Sequence, residues 1–432
     1  MSHFLLFALL VLTSCSPPRQ EGKAPAMFDL AWEKTALVEG DAEARDELRL
    51  GLLREAADRA DFAWVAAHVP GMEPKGRGLA YAMVAWDAAN GDFPARAGEF
   101  LLAGEQDGYI RTDEETARLQ AYLAACEARL GKPKKAQQRA GAILDVRGRR
   151  YAQALAQAGT WAREGSKGAG GEEAFAPEAV PELVKSLDAA LRDPGQDLAR
   201  KRQILALAEK LVAKADPANG AQGWALLALS AQEAGLVGEA AVFARRAMDL
   251  GMALDPRTEQ YGISLAAAAQ ALARCGDQAE AQRCLELAAA KPELVAHFFQ
   301  PPVLMALAEA YEGMGDSAKA DGAWLKALEV ARSHHHPRAR SVNVVLVLKS
   351  LIEAGREPTP EMVAVMDSIA RGEGGTAPLP PGYVQVGAPP PAKEADTAKA
   401  TKAKPSPKAK DGQNAKDGQN GKDGQNAKDK KP

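Results

Sequence analysis

The stretch LMALAEAYEGMGDSAKADGAWLKA, residues 304–327, decides the fold. Its apolar residues recur at intervals of three and four on both sides of Gly315, which is the pattern of two helices that each bury one face. The small residues Ala308 and Ala320 let the two helices approach closely, and Trp324 fills the space that remains. The stretch therefore predicts a pair of packed helices joined by a tight turn at Gly315.

The same frame recurs along the chain. In the C-terminal half, the turn glycines of the frame are Gly235, Gly276, Gly315 and Gly355. Their spacing of about 40 residues is typical of a repeat array, in which each unit buries its hydrophobic face against its neighbours. In the N-terminal half the pattern is fainter, with Gly51, Gly91 and Gly131 as expected turns. The pattern predicts an all-α fold, an α-solenoid of helical hairpins.

The spacing of small and aromatic residues around Gly315 resembles the tetratricopeptide repeat (TPR). The period departs from that family, whose usual unit is about 34 residues. The resemblance implies a concave groove, lined by the first helix of each hairpin, in which a partner peptide lies. Carried over to this chain, the groove-facing positions are Gln232, Glu233, Gln270, Arg274, Glu309, Glu312, Lys349 and Glu353.

The N-terminal segment reads as an export signal. Phe4 to Leu12 is an apolar run, shorter than the roughly 20 residues of a spanning helix but typical of a signal peptide. The stretch from Leu12 to Cys15, Leu-Thr-Ser-Cys, resembles the lipobox of bacterial lipoproteins. The resemblance implies acylation of Cys15 and a lipid anchor in the bacterial cell envelope, with the outer membrane, facing the periplasm, favoured. An ordinary secretory signal with a chance cysteine is the alternative.

Composition shifts divide the chain into segments. The expected plan is a signal peptide (1–14), the lipidated Cys and its tether (15–26), N-terminal helical-hairpin repeats (27–165), a Gly-rich linker (166–176), C-terminal TPR-like repeats (177–371) and a disordered Pro- and Lys-rich tail with KDGQN repeats (372–432). From residue 393 onward the tail has 11 Lys against 6 Asp or Glu, a net charge of +5. Such a tail is expected to be solvated, since interleaved Asp residues dilute its charge, and contact with an anionic surface such as a cell-wall polymer is the alternative.

Little in the sequence points to chemistry. The 54 basic and 57 acidic residues nearly balance, which argues against a general nucleic-acid binder. His334 to His336 read as a protonated helix end and not as a metal site, since adjacent helical residues point about 100° apart. A bridge between Cys275 and Cys284 stays open. The sequence predicts no catalytic residue, no metal site and no cofactor.

Together these patterns predict a non-enzymatic, membrane-anchored TPR-like lipoprotein. Its expected partner is another envelope protein or peptide segment, which it would bind as a scaffold or assembly factor. Two alternatives stay open. One is an envelope enzyme, or an accessory domain of one, with an unrecognised site. The other is a structural lipoprotein whose Lys-rich tail contacts an anionic cell-wall polymer.

Overall fold

The computed structural model describes most of the chain between residues 26 and 376, in the ranges 26–107, 112–164, 180–193, 195–290 and 292–376. Within these ranges the chain forms α-helices and short 3-10 turns and no β-strand, so the predicted all-α class is confirmed. The expected signal peptide, Cys15, the Gly-rich linker and residues 377–432 of the expected tail lie outside the described residues.

The helices are numbered here along the chain. They are α1 (Ala26–Lys34), α2 (Ala42–Asp58), α3 (Phe62–His68), α4 (Pro74–Asn90), α5 (Pro94–Gln106), α6 (Asp113–Arg129), α7 (Pro133–Gly141), α8 (Val146–Glu164), α9 (Val180–Arg192), α10 (Leu198–Val212), α11 (Pro217–Glu233), α12 (Val237–Met252), α13 (Glu259–Arg274), α14 (Gln278–Ala289), α15 (Gln300–Gly313), α16 (Ser317–Ser333), α17 (Pro337–Ala354) and α18 (Pro360–Ala370). The 3-10 turns are Thr35–Leu37, Val69–Gly71, Pro292–Leu294 and His297–Phe299.

Local sequence signals explain where the helices begin. At the start of α16, the carboxylate of Asp316 accepts a hydrogen bond from the backbone N–H of Lys319 at 3.2 Å. At the start of α6, Thr112 and Glu115 each bond the other's backbone N–H, which is a capping box. These side chains satisfy N–H groups that have no partner within the helix.

The turn between paired helices has one recurring geometry. Gly235, Gly276, Gly315 and Gly355 have φ of +81°, +86°, +82° and +68°, a left-handed conformation that glycine adopts without steric cost. At Gly315, the backbone N–H of Asp316 donates to the carbonyl of Tyr311 at 2.9 Å. The other three turns have the same bond, so the four predicted glycines occupy equivalent bends.

Two expected turns in the N-terminal half are wrong. Gly51 lies inside α2, and Gly91 has a right-handed backbone. The left-handed residues there are Ala60 (φ +59°) and Asp92 (φ +65°), while Gly131 (φ +80°) lies where the sequence predicts it. The two predictions were wrong because the hairpins of this half differ in length, so a constant spacing along the chain misplaces their turns.

The helices pack in two series. The inner helices follow one another in contact, in the order α2, α4, α6, α8, α9, α11, α13, α15 and α17. The outer helices α5, α7, α10, α12, α14 and α16 each pack against the inner helix that precedes them. The last inner helix, α17, contacts α1 and α2, so the described part of the chain closes on itself. Residues 26–376 all belong to one compact unit.

Candidate functional site

Charged and polar side chains form a layer inside this closed array. Eight of them lie six or five residues before a left-handed turn residue. The buried polar residues are Arg54, Gln270, Glu309 and Lys349 at the first of these positions, and Glu55, Asp87, Ser230 and Ser350 at the second. Because buried charges are costly unless they are paired, their partners decide what the layer can do.

Arg54 is the centre of the first part of the layer. Its Nε and Nη2 donate to the two carboxylate oxygens of Asp87 at 2.7 and 2.8 Å. Its Nη1 and Nη2 donate to the carboxylate of Glu182 at 2.7 and 3.0 Å. Burial would raise the pKa of Glu182, but the charge and hydrogen bonds of Arg54 outweigh it and lower the pKa to about 2. Three helices, α2, α4 and α9, are joined at this point.

Tyrosine and tryptophan side chains complete the shell around Glu182. The hydroxyl of Tyr122 donates to Glu182 Oε1 at 3.1 Å, and Trp86 Nε1 donates to Glu182 Oε2 at 3.3 Å. Burial, together with the nearby charge of Glu182, raises the pKa of Tyr122 well above its usual range and that of Tyr151 to about 12. Both phenols therefore remain protonated and serve as hydrogen-bond donors.

Lys185 extends the network along α9. Its Nζ lies 2.9 Å from Asp58 Oδ2 and 3.0 Å from Asp87 Oδ1. Burial would lower the pKa of Lys185, yet these two carboxylates raise it. Each cation in this part of the layer thus contacts two carboxylates, so two cations and three carboxylates are paired within the protein.

The second part of the layer lies between α15 and α17. Ser350 Oγ donates to Glu309 Oε1 at 2.6 Å and accepts from Trp324 Nε1 at 2.8 Å. Burial raises the pKa of Glu309 to about 7, although Ser350 and Lys349 oppose the shift. Lys349 pairs with Glu353 one turn along the same helix, and burial lowers the pKa of the Lys349 ammonium.

The eight predicted groove residues separate into an interior set and an outer set. Four of these side chains are buried. The other four are half-buried or exposed, and we call these four residues the rim. The buried ones are Gln270, Glu309, Lys349 and Glu353, and the rim consists of Gln232, Glu233, Arg274 and Glu312. The buried four do not lie on an open surface, because closure of the array covers the inner face of α13, α15 and α17.

Sequence reasoning missed Arg54 and Glu182 as partners. A signal was present, since Arg54 occupies the same position as Leu229, which is apolar and buried. A charge at a core position indicates a buried partner. It could not indicate which partner, because Glu182 lies 128 positions away in the chain.

The histidine cluster differs from its sequence interpretation. His334 Nδ1 lies 3.0 Å from His297 Nδ1, and Ser333 Oγ lies 2.9 Å from His297 Nε2. Burial, and then the nearby His297 and Arg340, lower the pKa of His334 to about 4. The expected protonated helix end is therefore wrong for His334, which is neutral at pH 7. In the described part of the chain, no three His, Cys, Asp or Glu side chains form a metal-binding group.

The described cysteines are free thiols. Cys275 is half-buried and Cys284 is buried, and no bridge joins them. Burial raises the pKa of both, that of Cys284 to about 12. Their thiols are therefore protonated at pH 7 and poorly nucleophilic.

One open cleft of about 350 Å³ lies among α5, α6 and α7, lined by Gly104, Glu105, Asp107, Thr116, Leu119, Gln120 and Arg139. Arg139 is tied to Glu127 through Nε–Oε2 at 3.0 Å and Nη2–Oε1 at 2.8 Å. Its Nη1 donates to Gln120 at 2.7 Å. These bonds hold the guanidinium against α6, so its donors are used within the protein. No sequence motif indicated the cleft.

Comparison with known proteins adds no identity: no family model, no curated protein and no solved structure matches this chain. Of the helices in the described ranges, none is both long and apolar enough to span a bilayer.

Proposed function

We propose that this chain is a membrane-anchored binding protein without enzymatic activity, which holds another protein or peptide segment of the bacterial envelope as a scaffold or assembly factor. In this proposal its helical pairs are TPR-like units of about 40 residues that stack as an α-solenoid. The observation that supports it best is the left-handed turn repeated at Gly235, Gly276, Gly315 and Gly355. Repeated units of one geometry offer an extended surface for a partner.

The rim is the proposed contact surface. Glu233 and Arg274 are exposed and end successive inner helices, α11 and α13, and Glu312 lies near the end of α15. Glu233 pairs with Arg192 at 2.9 Å, and Glu312 pairs with Arg356 at 3.0 Å. Charges of both signs at regular intervals favour a polar, charged segment as the partner, because opposite charges steer and align it.

The lipobox-like segment supports a location in the envelope. Acylation of Cys15 would supply two or three chains, which anchor stably where one chain anchors only reversibly. In this proposal, the residues between Cys15 and the start of α1 at Ala26 serve as a tether. We further propose an outer-membrane location facing the periplasm, with an anionic cell-wall polymer as a second partner for the Lys-rich tail.

Crosslinking in cells tests the rim. The double variant Glu233→Lys, Arg274→Glu should lose a partner that the parent protein captures, while its circular dichroism stays unchanged. The matched control Arg283→Glu, also exposed but on the outer helix α14, should keep the partner. Equal capture of the partner by all three proteins would show that the rim is not the contact surface. A charge reversal at Glu309 would not test the rim, because that side chain is buried and its substitution would disturb folding.

Lipidation is tested separately. Labelling with a fatty-acid probe should be abolished by Cys15→Ala, and fractionation should then release the protein from the membrane. Labelling that persists in the variant would contradict the proposed anchor. Turnover of peptidoglycan or polysaccharide by the pure protein would contradict the proposal of a non-enzymatic role.

A further inference from the structure

The closing contact of the array, called the seam here, joins α17 to the N-terminal part of the chain. Each earlier inner helix from α11 onward packs against a later inner helix, and α17 is the last one in the described ranges. In place of a further unit, α1, the 3-10 turn Thr35–Leu37 and α2 lie against α17. The seam therefore covers a face that an open array would leave exposed to solvent.

Apolar packing at the seam depends on a short helix. α1 has nine residues, fewer than the roughly 12 to 15 that an isolated helix needs for stability. Its buried residues are Met27, Phe28 and Ala31, and the Phe28 ring centroid lies 5.2 Å from that of Trp64. Tertiary contacts of these side chains, and not intrinsic helix propensity, therefore keep α1 in place.

Polar contacts occur at both ends of the seam. Near the start of α17, Arg338 pairs with Asp41 at 2.5 Å. At its end, Arg59 Nη2 donates to the carbonyl of Ile352 at 2.6 Å and to that of Glu353 at 3.2 Å. Because these two carbonyls belong to the last turn of α17, where intrahelical donors run out, Arg59 supplies a further donor at the helix end. The two sides of the seam thus carry complementary polar groups.

We propose that the seam is also a self-association surface, on which the α1 and α2 of a second copy of this chain replace the chain's own. The two sides come from opposite ends of the described chain, so nothing in the interface itself requires them to belong to one molecule. Such a head-to-tail contact closes a ring within one chain or links several chains. The closed single chain is favoured over the linked chains in the native state, because the two sides of its seam are held at high effective concentration. The inference does not depend on the proposed function.

Loosening α1 tests the idea. In full-length chains carrying Cys15→Ala, Phe28→Asp should displace α1 from α17, and since every copy has the same altered α1, this variant alone should be monomeric with fast amide exchange in α17. Mixing it with Arg338→Asp, which keeps an intact α1 but loses the Arg338–Asp41 pair of its own seam, should give a complex of doubled molar mass by light scattering and slow the exchange of the uncovered α17. The control Phe243→Asp also buries a carboxylate in an aromatic contact, with Trp224 at 5.2 Å, but away from the seam. It should form no complex with Arg338→Asp. A Phe28→Asp mixture that stays monomeric, with fast exchange in α17, would overturn the proposal.

A charge-swap pair answers the case in which Phe28→Asp does not fold. Asp41→Arg and Arg338→Asp each place like charges at one surface point of the seam within a chain. When the two variants are mixed, the new positive charge of one chain faces the new negative charge of the other. Mixing should form a 1:1 complex that neither variant forms alone. Absence of that complex, with both variants folded, would likewise overturn the proposal.

Discussion

Arg54 and Glu182 are 128 positions apart in the chain, yet they share two hydrogen bonds of 2.7 and 3.0 Å in the interior. They lie on opposite sides of the glycine-rich stretch at 166–176 that the sequence marks as a linker. A buried pair across that stretch joins the two expected halves in one network.

Replacing Arg54 should destabilise the fold strongly. Arg54→Met leaves the buried carboxylates of Asp87 and Glu182 without their main counter-charge, and breaking such a pair costs about 3–5 kcal/mol. Urea unfolding followed by circular dichroism would measure the loss. The control is Arg202→Met, which breaks an exposed pair with Glu239 at 3.0 Å and should cost less than about 1 kcal/mol. Equal losses in the two variants would contradict the central role of Arg54.

The left-handed turn at Gly315 should resist substitution for conformational reasons alone. A Cβ added there meets no atom within 4 Å, yet φ is +82°. Gly315→Ala should therefore lower the free energy of unfolding by about 1–2 kcal/mol. Gly322 lies in the following helix, also with open space around its added Cβ. Gly322→Ala should raise stability by about 0.5–1 kcal/mol, and a loss in that variant would show that space, not φ, matters.

Stability should fall in mild acid because of His334. The unfolded chain binds this proton near pH 6.5, whereas burial keeps the folded chain from binding it until about pH 4. The stabilising contribution of the neutral imidazole is therefore complete above pH 6.5 and is lost as the pH falls toward 4. His297, Arg340 and His335 add positive charge that acts in the same direction. NMR titration of His334 should give a midpoint near 4, and a midpoint near 6.5 would contradict its burial.

Glu309 should have the opposite effect on stability. Its pKa of about 7 in the folded chain means that the folded state binds a proton that the unfolded state releases above about pH 4.5. The contribution of the protonated carboxyl is therefore complete below pH 4.5 and is lost as the pH rises through 7. Glu309→Gln removes this titration. The stability of the parent protein relative to Glu309→Gln should decline from pH 4.5 to 8, and parallel curves would refute the raised pKa.

Local patterns were a good guide to some features and a poor one to others. The turn at Gly315 could be predicted because a glycine between two amphipathic runs is a short-range signal. The displaced turn at Asp92 could not, since aspartate only occasionally adopts a left-handed backbone. For the groove, the sequence predicted that Glu309 and Lys349 face a partner, whereas both are buried, and their burial depends on what lies opposite them.

By itself, the sequence determined that this chain is helical and where most of its hairpins bend, because periodicity, capping and the conformational freedom of glycine act within a few residues. Only the tertiary structure decided that α17 returns to α1 and α2 and that Arg54 meets Glu182. Closure depends on the angles between successive hairpins, and those angles accumulate over the whole array from many packing contacts. No short stretch of sequence determines the sum of these angles. Charged residues at core positions could therefore be identified along the chain, but their partners could not be predicted.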